Sequence, residues 1–199
     1  MFVAHPDDEL LFGGWDLDSN DRWKVVSITN GFPESHVPWK RGNRRWEEFR
    51  CAMNALPHVV EAELWDYQDH PFVKACRVDV DALKEQLRSA LREKAWLDVV
   101  THDADGEYGH WQHKFVHKVV NEVCVELGIQ SRSFGRGRIS AIGRKVLRCY
   151  SSEAATIQKH LDEADFNTLN RHGASSDWIM IEMDSWYSRA GSVGLIVES

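Results

Sequence analysis

Apolar positions along this chain switch between two spacings. Met1-Phe2-Val3 and the runs 25–29, 59–65 and 97–101 are short stretches of apolar and β-branched residues, which predict strands. Between them the apolar residues recur every three or four positions. Trp46, Phe49, Met53 and Leu56 predict a helix over about residues 43–56, and Val78, Leu83, Leu87, Ala90 and Leu91 mark an amphipathic helix after it. A further helix is predicted from Trp111 or Gln112 to Leu127, where Gly128 stops it. Asn30-Gly31 reads as a turn closing the second strand. Residues 131–143, rich in Gly, Arg and Ser, read as a loop. A last helix is expected over about 152–166, with Ser151 or Ser152 as its cap. Strand alternating with helix in this rhythm predicts an α/β fold: a Rossmann-like three-layer sandwich with a mostly parallel sheet and helices on both faces.

That pattern gives position to one polar run. Ala4-His5-Pro6-Asp7-Asp8-Glu9 follows the first predicted strand directly, so an imidazole and three carboxylates sit at a strand's C-terminal end. In open α/β sheets the chemistry collects in the crevice outside those ends. A second polar stretch, Thr101 to His113, follows the strand at 97–101 and reaches the same rim. It carries His102, Glu107, His110 and His113. Catalytic zinc commonly takes three protein ligands and leaves a fourth position for water. His5 and Asp8 with one histidine of the second stretch would make such a site. His110 and His113 are three apart, and His113 and His117 four apart, so either pair shares a helix face and spacing does not choose between them.

Composition narrows the surroundings. A chain of 199 residues, 43% hydrophobic and 28% charged, has the make-up of one soluble domain. We read residues 1–199 as a single domain, with 1–127 as the core and 128–199 as a shorter part completing the fold. A net charge of -7 argues against a non-specific nucleic-acid binder. There is no apolar run long enough for a membrane span, and the motif beginning at residue 4 leaves no room for a signal peptide. Cys51, Cys76, Cys124 and Cys149 are scattered and form no C-x-x-C pair, so they read as reduced thiols of a cytoplasmic protein. Of the nine tryptophans, several are expected in the core and others at a sugar-stacking or partner surface.

The two polar stretches together resemble the motifs of the LmbE-like, PIG-L type de-N-acetylases, zinc-dependent enzymes acting on N-acetylglucosamine-like sugars. Ala4 to Glu9 corresponds in full to the family's A-H-P-D-D-E, with Gly13-Gly14 following. Gly106-Glu107-Tyr108-Gly109-His110 and His113 correspond to G-E-Y-G-H-P-D-H, except that Trp111 and Gln112 stand where the family has Pro and Asp. Asn30-Gly31, Arg45-x-x-Glu48, Asp69 and Tyr150-Ser151-Ser152 are weaker correspondences. The resemblance covers about residues 1–125. It implies that His5, Asp8 and His113 bind one Zn²⁺, with Fe²⁺ or Co²⁺ able to take the same ligands. Asp7 would be the general base and His110 the electrophile or acid. Arg45 and Asp69 would meet substrate, and Glu9 would orient a ligand or cap the following helix.

The reading is thus hydrolysis of an N-acyl, most simply N-acetyl, amide on an amino sugar or glycoconjugate. The chain is short for such a family, so the pocket is expected to be open, or completed by a homo-oligomer. A metal- or sugar-binding protein of the same fold without catalysis is the alternative. Metal-dependent phosphoester hydrolysis ranks last, because histidine-rich ligation disfavours magnesium. Among the remaining rim residues, His117 is expected to pack or face solvent. His36, His70 and His102 are expected at the surface, and Glu107 is expected to hold its loop.

Overall fold

A computed structural model describes residues 1–31, 38–69, 79–134, 140–154 and 157–159. All but the last two of these lie in one compact unit, Met1–Ile157. His36, His70, Cys76 and Val78, and most of the helix expected over 152–166, lie outside the described residues, as does the reading of 1–199 as one domain.

The predicted alternation is present. The strands are β1 (Phe2–Val3), β2 (Trp23–Thr29), β3 (Val59–Tyr67), β4 (Val99–Thr101) and β5 (Ser131–Ser133). The helices are α1 (Asp8–Leu11), α2 (Gly14–Leu17), α3 (Pro38–Ala55), α4 (Val80–Arg92), α5 (Gly106–Gly109), α6 (Trp111–Leu127) and α7 (Ala141–Val146), with single 3-10 turns at Leu147–Cys149 and Ser151–Glu153. Every strand pair is parallel: β1 with β2 (Phe2 opposite Val26), β2 with β3, and β4 with β5 (Val99 opposite Ser131). β4 lies beside β1, where the Thr101 hydroxyl donates to the Phe2 carbonyl at 2.9 Å. The strands therefore succeed one another in space as β3-β2-β1-β4-β5. β4 and β5 form a two-stranded sheet of their own beside the three-stranded one, and the order turns back between β1 and β4, which is where such folds open a ligand crevice.

Strand pleating divides the core. Phe2, Ala4, Val26 and Ile28 pack with Leu83, Leu87 and Leu91 of α4 and Val116, Val120 and Val123 of α6. Val3 and Val25, one residue out of phase and fully buried, face the other way. α4 is capped by Asp79, whose side chain accepts the Asp81 and Ala82 N–H groups, and α6 ends at Gly128 in the left-handed conformation.

Two expectations are corrected. The loop expected over 131–143 contains β5 and the start of α7. β5 (Ser-Arg-Ser) has no apolar residue to give it a period, yet its backbone completes the ladder of β4, and Arg132 pairs with Asp98 and Asp16. α7 is capped by the Ser140 hydroxyl, which accepts the Gly143 N–H at 2.9 Å. The thiols are not all reduced either. Cys51 on α3 and Cys149 form a disulfide across 98 residues, a separation with no recognisable spacing, while Cys124 is free and buried. The cysteines therefore do not support a cytoplasmic location. Among the described residues no helix is long and apolar enough to cross a membrane.

Candidate metal centre and active site

β1 ends by handing the chain to a tight turn. The Thr29 hydroxyl and N–H both donate to the Ala4 carbonyl, fixing where the turn begins. Asp7 then takes φ 114°, ψ -29°, in the region that disfavours a side chain, and α1 starts at Asp8. Four buried hydrogen bonds hold it there. The Asp7 N–H donates to Glu9 Oε2 at 3.0 Å, and the Tyr150 hydroxyl donates to Glu9 Oε1 at 2.5 Å. Arg45 Nη2 donates to the Pro6 carbonyl (2.5 Å) and to Asp7 Oδ2 (3.3 Å). Burial lifts the Asp7 carboxyl to about 7 against the pull of Arg45, and lifts Glu9 to about 8 against the Tyr150 hydrogen bond. Gly13 lets α1 and α2 fold back over the chain start, since a Cβ there would lie 2.7 Å from Met1 Cε and 2.9 Å from the Glu9 carbonyl.

The second loop is built around Glu107. One of its oxygens accepts from His113 Nδ1 (2.6 Å) and His102 Nδ1 (3.0 Å), and the other accepts the Asp103 N–H (3.1 Å). Burial opposes its charge, but the two imidazoles prevail and bring the carboxyl down to about 2. His102, expected at the surface, is fully buried, and its Nε2 accepts the Ala4 N–H at 2.9 Å. His117 does pack: its Nδ1 donates to the His102 carbonyl at 2.7 Å.

Hydrogen-bond logic now fixes the ring nitrogens. An ionised carboxylate only accepts, so His113 carries its proton on Nδ1 and its Nε2 keeps a lone pair. That Nε2 is buried, without a hydrogen-bond partner, and 3.4 Å from Asp8 Oδ1. On the other side Gln112 bridges Asp69 and His5. Its Nε2 donates to Asp69 Oδ1 (2.6 Å), which turns its Oε1 toward His5 Nε2 (3.0 Å). His5 must then donate from Nε2, leaving the Nδ1 lone pair facing Asp8 Oδ2 at 3.1 Å. Two imidazole lone pairs and a carboxylate thus converge as acceptors, and only a cation, a proton or a metal ion, reconciles them. Burial works against charge at each. Even so the Asp8 carboxyl is held well below the carboxylate range by His113 and His5, and both histidines are raised by Asp8. Donor atoms of His5, His110 and His113, and of Asp8, His102 and His113, lie within 4.8 Å of one another. Neither group holds His5 and Asp8 together; of the imidazole nitrogens facing Asp8, His102 Nε2 is committed to the Ala4 N–H, which leaves His5 Nδ1 and His113 Nε2 with open lone pairs toward its two oxygens. Imidazole and carboxylate suit zinc or a similar divalent ion.

His110 stands edge-on to His5, with ring centroids 5.1 Å apart. Burial, reinforced by His5 and His113, lowers it to about 4, so the ring is neutral near pH 7. Asp69 lies on the far side of His5, 3.8 Å from its Nε2. Arg45, expected to meet substrate, is 3% exposed, with its guanidinium turned to Pro6, Asp7, Ser152 and Glu153. The Ser151 and Ser152 hydroxyls donate to Glu48, while the helix they were expected to cap lies mostly outside the described residues. Sequence reasoning missed the bridging of Gln112. The signal was available as a polar residue on the inner face of α6, between His110 and His113.

Residues 1–124 match the family model described as PIG-L, GlcNAc-PI de-N-acetylase. Uncharacterized protein L374 of Acanthamoeba polyphaga mimivirus is 42% identical over 130 residues, 62% of this chain and 56% of that protein, so the match spans about half the length of that relative. Among solved structures, the A40926 pseudoaglycone deacetylase Dbv21 superimposes with a TM-score of 0.63 at 16% identity, covering 87% of this chain and 91% of that one. The 4-carboxy-2-hydroxymuconate hydratase GalB of Pseudomonas putida KT2440 does so with a TM-score of 0.59 at 14% identity, covering 88% and 89%. At these identities the likeness is one of fold, and this fold serves more than one chemistry.

Proposed function

The chain belongs to the PIG-L family of de-N-acetylases, and from that membership we propose that it hydrolyses an N-acyl, most simply N-acetyl, amide on an amino sugar or glycoconjugate. The observation that carries the reading is the convergence of the His5 and His113 lone pairs on Asp8, with the Asp7 carboxyl in the next residue. His5, Asp8 and His113 would hold the metal, with zinc the best fit to the donor set. When bound, such an ion supplies Lewis-acid polarisation of a carbonyl and a more acidic water.

The chain's own groups do the rest. Asp7, titrating near neutrality in the metal-free protein, takes a proton from the attacking water as the C–O bond forms at the acyl carbon. The neutral His110 ring donates a hydrogen bond to the developing oxyanion. The C–N bond then breaks, and the amine leaves with the proton that Asp7 accepted, giving acetate and the free amino sugar. Arg45 keeps the Asp7 carboxyl aimed, a positioning role in place of direct substrate contact. Asp69 remains the candidate for a sugar hydroxyl.

The alternative, a metal- or sugar-binding protein without turnover, draws support from Gln112, which places a neutral amide where the family has a carboxylate. Zinc-loaded protein, incubated with a panel of N-acetylglucosamine derivatives, separates the two. Acetate released by wild type and lost in Asp7→Asn supports the hydrolase. A silent panel with one zinc bound per chain supports the alternative.

A further inference from the structure

Glu107 sits in a backbone conformation that its side chain alone does not explain. At φ 56°, ψ -64° it occupies the strained γ-turn region, and it and Asp7 are the non-glycine residues of positive φ among those described. Outliers of this kind persist where the surroundings over-determine them, and they cluster at functional sites. Four hydrogen bonds over-determine this one. The Glu107 N–H donates to Asp103 Oδ1 (2.9 Å), while the Asp103 N–H donates back to Glu107 Oε1, closing a reciprocal pair. Oε2 takes both Nδ1 protons of His102 and His113, whose rings stack at 4.0 Å with an interplanar angle of 22°. The preceding Gly106, at φ 66°, admits the approach of α6, since a Cβ there would lie 2.9 Å from Lys114 Cγ.

We propose that Glu107 is the positioning residue of the metal centre, its single carboxylate setting the tautomer and orientation of His113 and, through His102, the placement of the second loop against the first. The inference rests on the metal-binding reading above. With Nδ1 protonated and tied to Glu107, His113 presents Nε2 toward Asp8. Without that tie the ring is free to carry its proton on Nε2, where it blocks a cation. The same oxygen orders His102, whose Nε2 accepts the N–H of Ala4, the residue before His5. One side chain therefore aligns a ligand from each loop. Carboxylate partners of metal-binding histidines characteristically fix the ring and strengthen binding, and their loss weakens metal affinity 10- to 100-fold.

The test is zinc titration against a competing chelator for wild type and Glu107→Gln, with melting curves of both metal-free proteins alongside. The amide keeps the size of the side chain but offers one acceptor oxygen where three N–H groups need acceptors. The expected result is a 10- to 100-fold loss of zinc affinity in a variant that still melts cooperatively. Equal affinities overturn the proposal. Nitrogen-15 spectra of the histidine rings in zinc-loaded wild type decide the matter even if the variant does not fold. His113 bound through Nε2 with a protonated Nδ1 supports the role, and any other state of that ring overturns it. Wild type that binds no zinc defeats the metal reading and this inference together. Wild type that binds zinc no better than Glu107→Gln defeats this inference alone.

Discussion

The two loops that meet at the site hold their carboxylates by opposite means. Asp7, in the loop after β1, is fixed from far away: Arg45 comes from α3, and Glu9 is held by Tyr150 from the other end of the described chain. Glu107, in the loop after β4, is fixed by neighbours, with Asp103, His102 and His113 all within six residues of it. Both residues sit at positive φ, so both loops store strain, but the first is stabilised by tertiary contacts and the second mostly by its own hydrogen bonds. Their burial differs slightly in the same sense: the Asp7 side chain is 8% exposed and that of Glu107 12%. The difference suggests a division of labour. The remote anchoring holds a proton acceptor away from water, where burial raises its pKa against the pull of Arg45, whereas the local anchoring aims a lone pair.

Asp7→Asn tests that division most severely. The amide cannot accept the proton, so acetate release is expected to fall roughly 10²- to 10⁴-fold, while zinc affinity changes by no more than a few-fold. A collapse of zinc affinity in this variant would show that the first loop serves the metal as much as the proton. A second readout comes from pH. The folded-state pKa of Asp7 is raised from 3.8 to about 7, so its contribution to stability is fully present below pH 4 and is lost as pH rises toward 7. Metal-free Asp7→Asn, which lacks that loss, should gain in melting temperature on metal-free wild type as pH goes from about 4 to 7. A constant difference between the two melting curves would contradict the raised pKa.

The disulfide offers the next largest effect. Cys51 lies on α3 beyond Arg45 and Glu48, and Cys149 immediately precedes Tyr150, so the bond clamps together the two elements that anchor Asp7. Removing a cross-link that spans 98 residues costs about 4–5 kcal/mol in the chain-entropy model. Reduction, or Cys51→Ser, should lower the urea midpoint accordingly. The comparison of loops adds a sharper expectation: amide exchange at Asp7 should accelerate more than at Glu107. Equal acceleration at both would mean that the second loop also depends on the α3 clamp.

What the sequence made legible follows the same line between local and remote. The strands and helices with an apolar period were visible, as was the meeting of His5–Glu9 with His110–His113 at one rim, because both runs follow strands of a parallel sheet. β5 was not, because Ser-Arg-Ser has no period and owes its strand form to β4. The Cys51–Cys149 pair and the inward turn of Arg45 were hidden too, since each is decided by partners remote in sequence, 98 residues away for the disulfide and 38 or more for Arg45. His102 was misjudged for a related reason. Its Nε2 is matched by the Ala4 N–H just past the end of another strand, and nothing in Thr-His-Asp announces that. Gln112 was noted as a departure, but its bridge to Asp69 and His5 exists only once three segments are assembled.

One hydrogen bond ties the strands that deliver the two loops. The Thr101 hydroxyl, fully buried, donates to the Phe2 carbonyl at 2.9 Å, between β4 and β1. Thr101→Val keeps the shape and β-branching of the side chain while removing the donor. Its cost in stability should be about 1 kcal/mol, the usual net worth of such a bond, read as a small drop in urea midpoint. The informative part is what happens to zinc. If each loop is held by its own anchors, Arg45 and Glu9 on one side and Glu107 on the other, the loss of this tie leaves zinc affinity nearly unchanged, well short of the change expected for Glu107→Gln. If zinc affinity instead falls as far as it does in Glu107→Gln, the spacing of β1 and β4 governs the metal centre, and the loops are one unit.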